Sequence, residues 1–231
     1  GSDTVAELLA AAGFDALVLD MEHGEAHAGN LGSLLRATKA GGASALVRVP
    51  SPDDTAAIGR ALDLGADGLV VPMVETVTQA ERVSRAAAYP PAGTRGTAHP
   101  LIRASSYGLD AEYLAEARRR VVLFVQVETA NADAAAIAAS DGVDGVFVGP
   151  LDLAASVGRA AEPAHAEAMQ ARLHVEEAVL ASGKALAGFA APGDSAKAMH
   201  SRGYSLVADA ADLGLLRDAA VQRLSGSGLA E

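Results

Sequence analysis

Val121-Val-Leu-Phe-Val-Gln-Val-Glu128, a helical-period stretch over 132–139, and then Asp144-Gly-Val-Phe-Val-Gly-Pro-Leu-Asp152 form the passage that decides the fold. Both outer runs are continuously apolar rather than alternating, which is the pattern of strands covered on both faces. A helix between two such strands makes them parallel neighbours. Outward from this unit the pattern repeats. Further apolar runs fall at 16–20, 45–49, 68–71, 185–189 and 205–208, which with 121–127 and 145–148 makes seven strands. Segments of helical period lie at 4–12, 30–40, 53–64, 76–87, 165–182, 194–202 and 212–224, many opening on Asp, Asn or Thr as N-caps and closing near Gly.

Strand–helix alternation without a composition break predicts one parallel β/α domain over residues 1–231. A (β/α)8 TIM barrel needs an eighth strand, and the chain opens on a helix that ought to follow one. The first strand is therefore expected to lie upstream of Gly1. An open doubly wound sheet is the rival, but its Gly-rich phosphate turn is absent, because the first strand exits into Asp20-Met-Glu-His23.

Composition narrows the function. The 231 residues carry 18 Lys+Arg against 29 Asp+Glu, a net charge of −11, which argues against nucleic acid or an anionic membrane as partner. With no cysteine there is no disulfide, thiolate nucleophile or Cys-ligated metal. No apolar run is long enough for a membrane span, so a cytoplasmic protein is expected. The only lysines are Lys39, Lys184 and Lys197, and none ends a strand, which disfavours imine chemistry.

In a β/α barrel the chemistry sits where strands end. The first run ends in Asp20-Met-Glu-His23, the second in Arg48, the third in Pro72-Met-Val-Glu75, the fourth in Gln126-Val-Glu128 and the fifth in Gly149-Pro-Leu-Asp152. Strand starts carry small residues and Asp15, Asp67 and Asp144. Glu128 and Asp152 lie one βα unit apart, so adjacent strands bring both carboxylates to one mouth. With Gln126 nearby they suit an oxygen-loving divalent cation that keeps several waters. The structural alternative pairs Glu128 with Arg48 and leaves Asp152 as a helix cap. Asp20, three residues before His23, is placed to fix the imidazole tautomer and leave the other nitrogen as a general base; a hydrogen-bonded loop histidine is the plainer reading. Arg48 offers a planar cation for a carboxylate or enolate oxygen, or an ion pair with Asp20, Glu22 or Glu128. His23 and His27 lack the helical metalloprotease arrangement. The long connection 88–109 reads as a lid, a binding loop or a subunit contact.

Seven motifs in order carry a family resemblance: Phe14-Asp-Ala-Leu-Val-Leu-Asp-Met-Glu-His23, Leu46-Val-Arg-Val49, Leu69-Val-Val-Pro-Met-Val-Glu75, Tyr89-Pro-Pro-Ala-Gly-Thr-Arg-Gly96, Arg103-Ala-Ser105, Gln126-Val-Glu128 and Gly142-Val-Asp-Gly-Val-Phe-Val-Gly-Pro-Leu-Asp-Leu153. Over about residues 5–224 the chain resembles the metal-dependent (class II) pyruvate aldolases of the HpcH/HpaI family, including the 4-hydroxy-2-oxo-heptanedioate aldolases. The resemblance implies a β/α barrel assembled as a homohexamer, with C-terminal helices exchanged between neighbours. It implies Glu128 and Asp152 as metal ligands for Mg²⁺, Mn²⁺ or Co²⁺, and His23 as base oriented by Asp20. Arg48 would bind the pyruvyl oxygen, Gln126 would line the site, and the backbone N–H groups around Leu151 and Asp152 would receive the pyruvate carboxylate.

The implied reaction is reversible cleavage of a 4-hydroxy-2-oxo acid to pyruvate, or a close 2-oxo acid, and an aldehyde. A citrate-lyase β or malyl-CoA type lyase is the alternative, although no basic cluster suits CoA; a non-catalytic barrel is the third. Two departures, Asp209-Ala-Ala-Asp212 and Thr97-Ala-His-Pro100, bear on the acceptor pocket. Arg95 or Arg103 is a candidate for a distal substrate carboxylate, or for a subunit contact.

Overall fold

The computed structural model describes residues 1–226. In chain order its elements are α1 (Asp3–Ala11), β1 (Ala16–Asp20), α2 (Leu31–Gly41), β2 (Ser44–Arg48), α3 (Thr55–Asp63), β3 (Gly68–Val71), α4 (Val77–Ala87), α5 (Tyr113–Glu116), β4 (Val122–Val127), α6 (Ala134–Ala139), β5 (Gly145–Val148), α7 (Pro150–Ser156), α8 (Ala166–Ala181), β6 (Ala185–Phe189), α9 (Ala196–Ser201), β7 (Tyr204–Ala208) and α10 (Asp212–Gly226). All seven predicted strands are present, displaced by a residue at most at either end. They form one parallel sheet in the order β1 to β7. Strands β2 to β6 are buried over most of their length, while β1 and β7 are half-buried, as edge strands are. Among the described residues β1 pairs only with β2 and β7 only with β6, so the sheet does not close into a barrel.

The sheet is nonetheless curled. Arg48 on β2 lies 5.3 Å from the ring of Phe189 on β6. Four strand spacings separate β2 from β6, ~19 Å across a flat sheet, so the two can meet only if the inner face is concave. That face is filled by Leu46, Val70, Phe124, Phe147 and Ala187, packed with Val18 and Leu206 of the edge strands. Phe124, Phe147 and Phe189 stack edge to face through it. The other face carries the alternate residues, among them Val47, Leu69, Val71, Leu123, Val125, Val146 and Leu186, into a larger core beneath the helices.

Local chemistry sets several boundaries. Thr76 and Gln79 form a reciprocal capping box that starts α4. Asp54 caps α3 and Asp133 caps α6 through their side chains, so both helices begin later than their period suggested. Ser195, not Asp194, caps α9, because Asp194 is engaged by Arg172 and Arg202. Two short helices were not expected. One is α7, which begins on Pro150, a proline suited to the first turn. The other is α5, inside the long connection, which also contains a 3-10 turn at Arg103–Ser105. No helix among the described residues is long and apolar enough to cross a membrane.

Candidate active site

Asp20 ends β1, Arg48 ends β2, and the parallel register places them opposite each other. Their sequence parity puts both on the concave face with Val18 and Leu46. Arg48 Nε donates to Asp20 Oδ1 at 2.8 Å and Nη2 to Oδ2 at 2.7 Å, a bidentate pair. Oδ1 also accepts the backbone N–H groups of Glu22 (3.0 Å) and His23 (3.3 Å). Burial by itself would raise the Asp20 carboxyl, but the Arg48 bond and charge, helped by those two N–H groups, hold it below its ordinary value.

The third nitrogen of Arg48, Nη1, lies 3.1 Å from Glu22 Oε2. The other Glu22 oxygen lies 3.8 Å from His23 Nε2. The His23 side chain is 68% exposed, whereas that of Glu22 is 15% exposed. Burial pushes the Glu22 carboxyl up, against the opposing pull of Arg48 and His23.

This arrangement corrects the expectation for Asp20. Its carboxylate does not touch the imidazole; it reaches His23 only through the backbone N–H. The reason is the register: Arg48, directly opposite, takes both oxygens. Arg48 is not paired with Glu128 either, which acts on it only through charge at longer range.

Gln126 and Glu128 continue from β4 on the same parity and are almost fully buried, at 1% and 3% exposure. Each Glu128 oxygen has one donor. Oε1 takes the Gln126 side-chain amide, and Oε2 takes the Met73 N–H at 2.8 Å. Met73 presents that N–H from a left-handed backbone (φ 52°), a conformation a non-glycine residue adopts at a cost of about 1–2 kcal/mol. Val74 N–H bonds the Gln126 carbonyl at 3.1 Å, so the segment after β3 is clamped on the end of β4. Burial, which outweighs the Met73 and Gln126 donors, pushes the Glu128 carboxyl up to about 7, and the like charges of Asp152 and Glu22 add to it.

Asp152 stands exposed in the first turn of α7, after β5. Leu153 N–H is bonded to the Gly149 carbonyl, while the N–H groups of Leu151 and Asp152 have no acceptor among the described residues. Gly149 is there for space. A Cβ at this position would stand 2.6 Å from Glu128 Oε1 and 3.1 Å from Gln126 Nε2.

The donor set fits a hard divalent cation. Glu128 and Asp152 repel each other across one mouth, and Gln126 Oε1 is buried with no partner. Burial of a carboxylate that raises its proton affinity is relieved when a cation neutralises it. Among the described residues no three of His, Cys, Asp and Glu converge as a metal cage. Two carboxylates with an amide oxygen leave the remaining positions to water and substrate, as Mg²⁺ and Mn²⁺ require.

The two arginines considered for a distal substrate carboxylate lie elsewhere in this chain. Arg95 is buried, bonded to Asp63 (2.7 Å) and the Tyr113 hydroxyl (3.1 Å) and stacked on Tyr89. Arg103 donates to the Leu64 carbonyl at 2.7 Å. Both anchor the long connection to the C-terminal end of α3, at the rim where strands start. Asp212 opens α10, where its carboxylate accepts the Leu213 N–H.

Sequence reasoning treated Glu22 only as an ion-pair partner and gave no role to Met73, Gly149 or Phe189. Glu22 was visible as a strand-end carboxylate. The left-handed backbone of Met73 has no sequence signal, since that conformation ordinarily selects Gly or Asn.

Residues 2–219 match the family described as HpcH/HpaI aldolase/citrate lyase. The chain is 38% identical over 223 residues to a hydroxypyruvate/pyruvate aldolase of Chromohalobacter salexigens, covering 95% of this chain and 87% of that one. It is 47% identical over 186 residues to a 4-hydroxy-2-oxovalerate aldolase of Rhodococcus jostii, covering 78% and 70%. The crystal structure of an HpcH/HpaI aldolase/citrate lyase family protein from Burkholderia cenocepacia superposes with a TM-score of 0.90 at 38% identity, covering 98% of this chain and 90% of that one.

Proposed function

This chain belongs to the HpcH/HpaI aldolase/citrate lyase family, and from that membership we propose that it is a divalent-metal-dependent, cytoplasmic aldolase. It cleaves a 4-hydroxy-2-oxo acid to pyruvate, or a close 2-oxo acid, and an aldehyde, and also runs in reverse. The observation that carries this reading is the pair of mutually repelling carboxylates, Glu128 and Asp152, at the same strand-end mouth as the fixed guanidinium of Arg48.

Glu128 and Asp152 would hold the cation, with Gln126 Oε1 beside them. A bound divalent cation would polarise the 2-oxo group and stabilise negative charge on its oxygen. The N–H groups of Leu151 and Asp152 are open to receive the substrate carboxylate. His23, exposed at the mouth, takes the proton of the C4 hydroxyl. The C4–O bond becomes a carbonyl as the C3–C4 bond breaks, and its electron pair moves into C2–C3 to give the enolate of the 2-oxo acid. Arg48 donates to the enolate oxygen as its charge develops. Protonation at C3 then releases the 2-oxo acid. In synthesis the proton moves from His23 back to the new hydroxyl.

The assembly is part of the proposal. No residue of α10 is buried, and Leu213, Leu216 and Val221 are well exposed along it. A helix that leaves such apolar side chains open to solvent among the described residues fits exchange between neighbouring subunits of a homohexamer. The reading also takes the curled seven-strand sheet as belonging to a (β/α)8 barrel.

The test is proton exchange. With Mn²⁺ in D₂O, the methyl group of pyruvate should exchange for deuterium, followed by NMR, and EDTA should abolish the exchange. His23→Ala should lose cleavage of 4-hydroxy-2-oxo acids while still binding Mn²⁺, and Glu128→Ala and Asp152→Ala should lose Mn²⁺. A wild-type protein that binds Mn²⁺ without exchanging the methyl protons would overturn the reading.

A further inference from the structure

We propose that the outer flank of α3 carries a second binding site, separate from the strand-end mouth, for a small carboxylate- or phosphate-bearing molecule. A cavity of about 400 Å³ runs there between α3 and the chain that follows α4. Thr55, Gly59, Arg60 and Asp63 line it from α3, and Arg95 and Gly96 close it from the long connection. Thr55, Gly59 and Asp63 share one face of the helix, while Ile58 and Leu62 turn into the core. The volume falls within the ~300–1,000 Å³ of small-molecule pockets, so there is room for a metabolite and not only for a lone ion.

Several donors on this cavity are unpaired. Arg95 is 4% exposed, and two of its nitrogens are bound inside the protein: Nε and Nη2 to Asp63, and Nη2 also to the Tyr113 hydroxyl. Nη1 has no hydrogen-bond partner among the described residues. A buried guanidinium with one edge left open calls for an acceptor, because an unmade bond to a buried donor is costly. Arg60 is exposed, and among the described residues its side chain makes no hydrogen bond or ion pair. The Gly96 N–H and the Thr55 hydroxyl also lack an acceptor among them. Two guanidinium groups thus face one carboxylate, and that carboxylate, Asp63, is neutralised by Arg95 at 2.7 Å. The remaining charge is positive in a chain whose net charge is −11, so the attraction for an anion is local. Guanidinium edges suit carboxylate and phosphate oxygens alike.

Two glycines point the same way. Gly59 stands in the interior of α3, where only proline is a poorer helix former. A Cβ built on it would meet nothing within 4 Å, and its backbone is not left-handed. The same holds for Gly96. Neither conformation nor packing within the described residues asks for glycine at these positions; what both keep open is the cavity. Arg95, a candidate for a distal carboxylate of the substrate, is placed instead to meet the oxyanion of a different molecule.

Isothermal titration calorimetry of the full chain with inorganic phosphate and with malonate tests the site. Wild-type protein should bind at least one of them; phosphate alone points to a phosphoryl ligand, malonate alone to a carboxylate. Gly59→Met fills the groove and improves helix propensity, so it should abolish binding with a thermal midpoint no lower than that of wild type. Arg60→Gln should weaken binding about tenfold or more, the scale of a lost charge-assisted hydrogen bond. Arg60 also places a cation in the last turn of α3, so affinity rather than stability is its readout. Pyruvate methyl exchange with Mn²⁺ and no added anion should keep its wild-type rate in both variants. The inference is overturned if neither anion binds the wild-type protein, or if Arg60→Gln binds as tightly as wild type. Binding that survives Gly59→Met unchanged also overturns it, because the anion would then sit elsewhere, as at the strand-end mouth. None of these outcomes depends on the aldolase reading.

Discussion

Asp20 and Arg48 are direct partners across the β1–β2 register and close a two-pronged ion pair at the strand ends, with N···O separations of 2.8 and 2.7 Å. The pair links fold to site: the hydrogen-bond ladder that aligns two strands also fixes the orientation of the guanidinium at the strand-end mouth.

That pairing carries an acid signature. The Asp20 carboxyl is raised by burial but held below its ordinary value of 3.8 by Arg48, so its net shift is downward. A group whose folded value is depressed contributes stability in full above its unfolded value and loses it as pH falls through the folded one. Urea denaturation should show Asp20→Asn less stable than wild type by about 1.5–3 kcal/mol at pH 7, the range for hydrogen bonds to a charged group. The gap should narrow as the pH drops below about 4. A gap that is constant from pH 7 to pH 2 would contradict the assignment.

Gly149 is predicted to be intolerant of a methyl group. The added carbon would stand 2.6 Å from Glu128 Oε1 and 2.9 Å from its Cγ, atoms fixed by Gln126 and Met73. Gly149→Ala should weaken Mn²⁺ binding about 10- to 100-fold, as disturbed ligand support does. Circular dichroism should remain that of the folded chain, because Gly149 has φ −96°, open to any residue.

Met73 offers the converse test. Its backbone is left-handed while its N–H supports Glu128. Met73→Gly keeps the N–H and removes the strain, so thermal unfolding should rise, by about 1 kcal/mol in stability, with Mn²⁺ affinity unchanged. Met73→Val, β-branched at the same φ, should lower both.

A third region concerns stability alone. Glu176 on α8 is 3% exposed, accepts the Tyr204 hydroxyl at 2.8 Å, and lies 3.4 Å from both Arg172 and Arg202. Tyr204→Phe removes the close donor and should cost about 1.5–3 kcal/mol in chemical denaturation. Pyruvate exchange should be unaffected, since these residues lie on the outer helical layer and the start of β7.

How much of this was legible in the sequence follows from what is local. Seven continuous apolar runs separated by helical period are enough to place the strands, because burial on both faces demands that composition whatever the tertiary detail. The rule that chemistry collects at strand ends singled out Asp20, His23, Arg48, Gln126, Glu128 and Asp152. The short helix α7 was missed because seven residues hold too few turns to show a period, and α5 because it is a single turn inside a long connection.

By itself, then, the sequence determined the parallel β/α architecture and which polar side chains stand on the strand-end rim, since strand parity and chain order are properties of the residues alone. Which of those side chains touch was decided only by the tertiary structure. The β1–β2 register gave Asp20 to Arg48 rather than to His23. The curl of the sheet brought Arg48 over Phe189 from four strands away. A left-handed turn after β3 put a backbone N–H on Glu128. Each of these joins residues from separate segments of the chain, and their distances are set by strand pairing and sheet curvature, which no local pattern encodes.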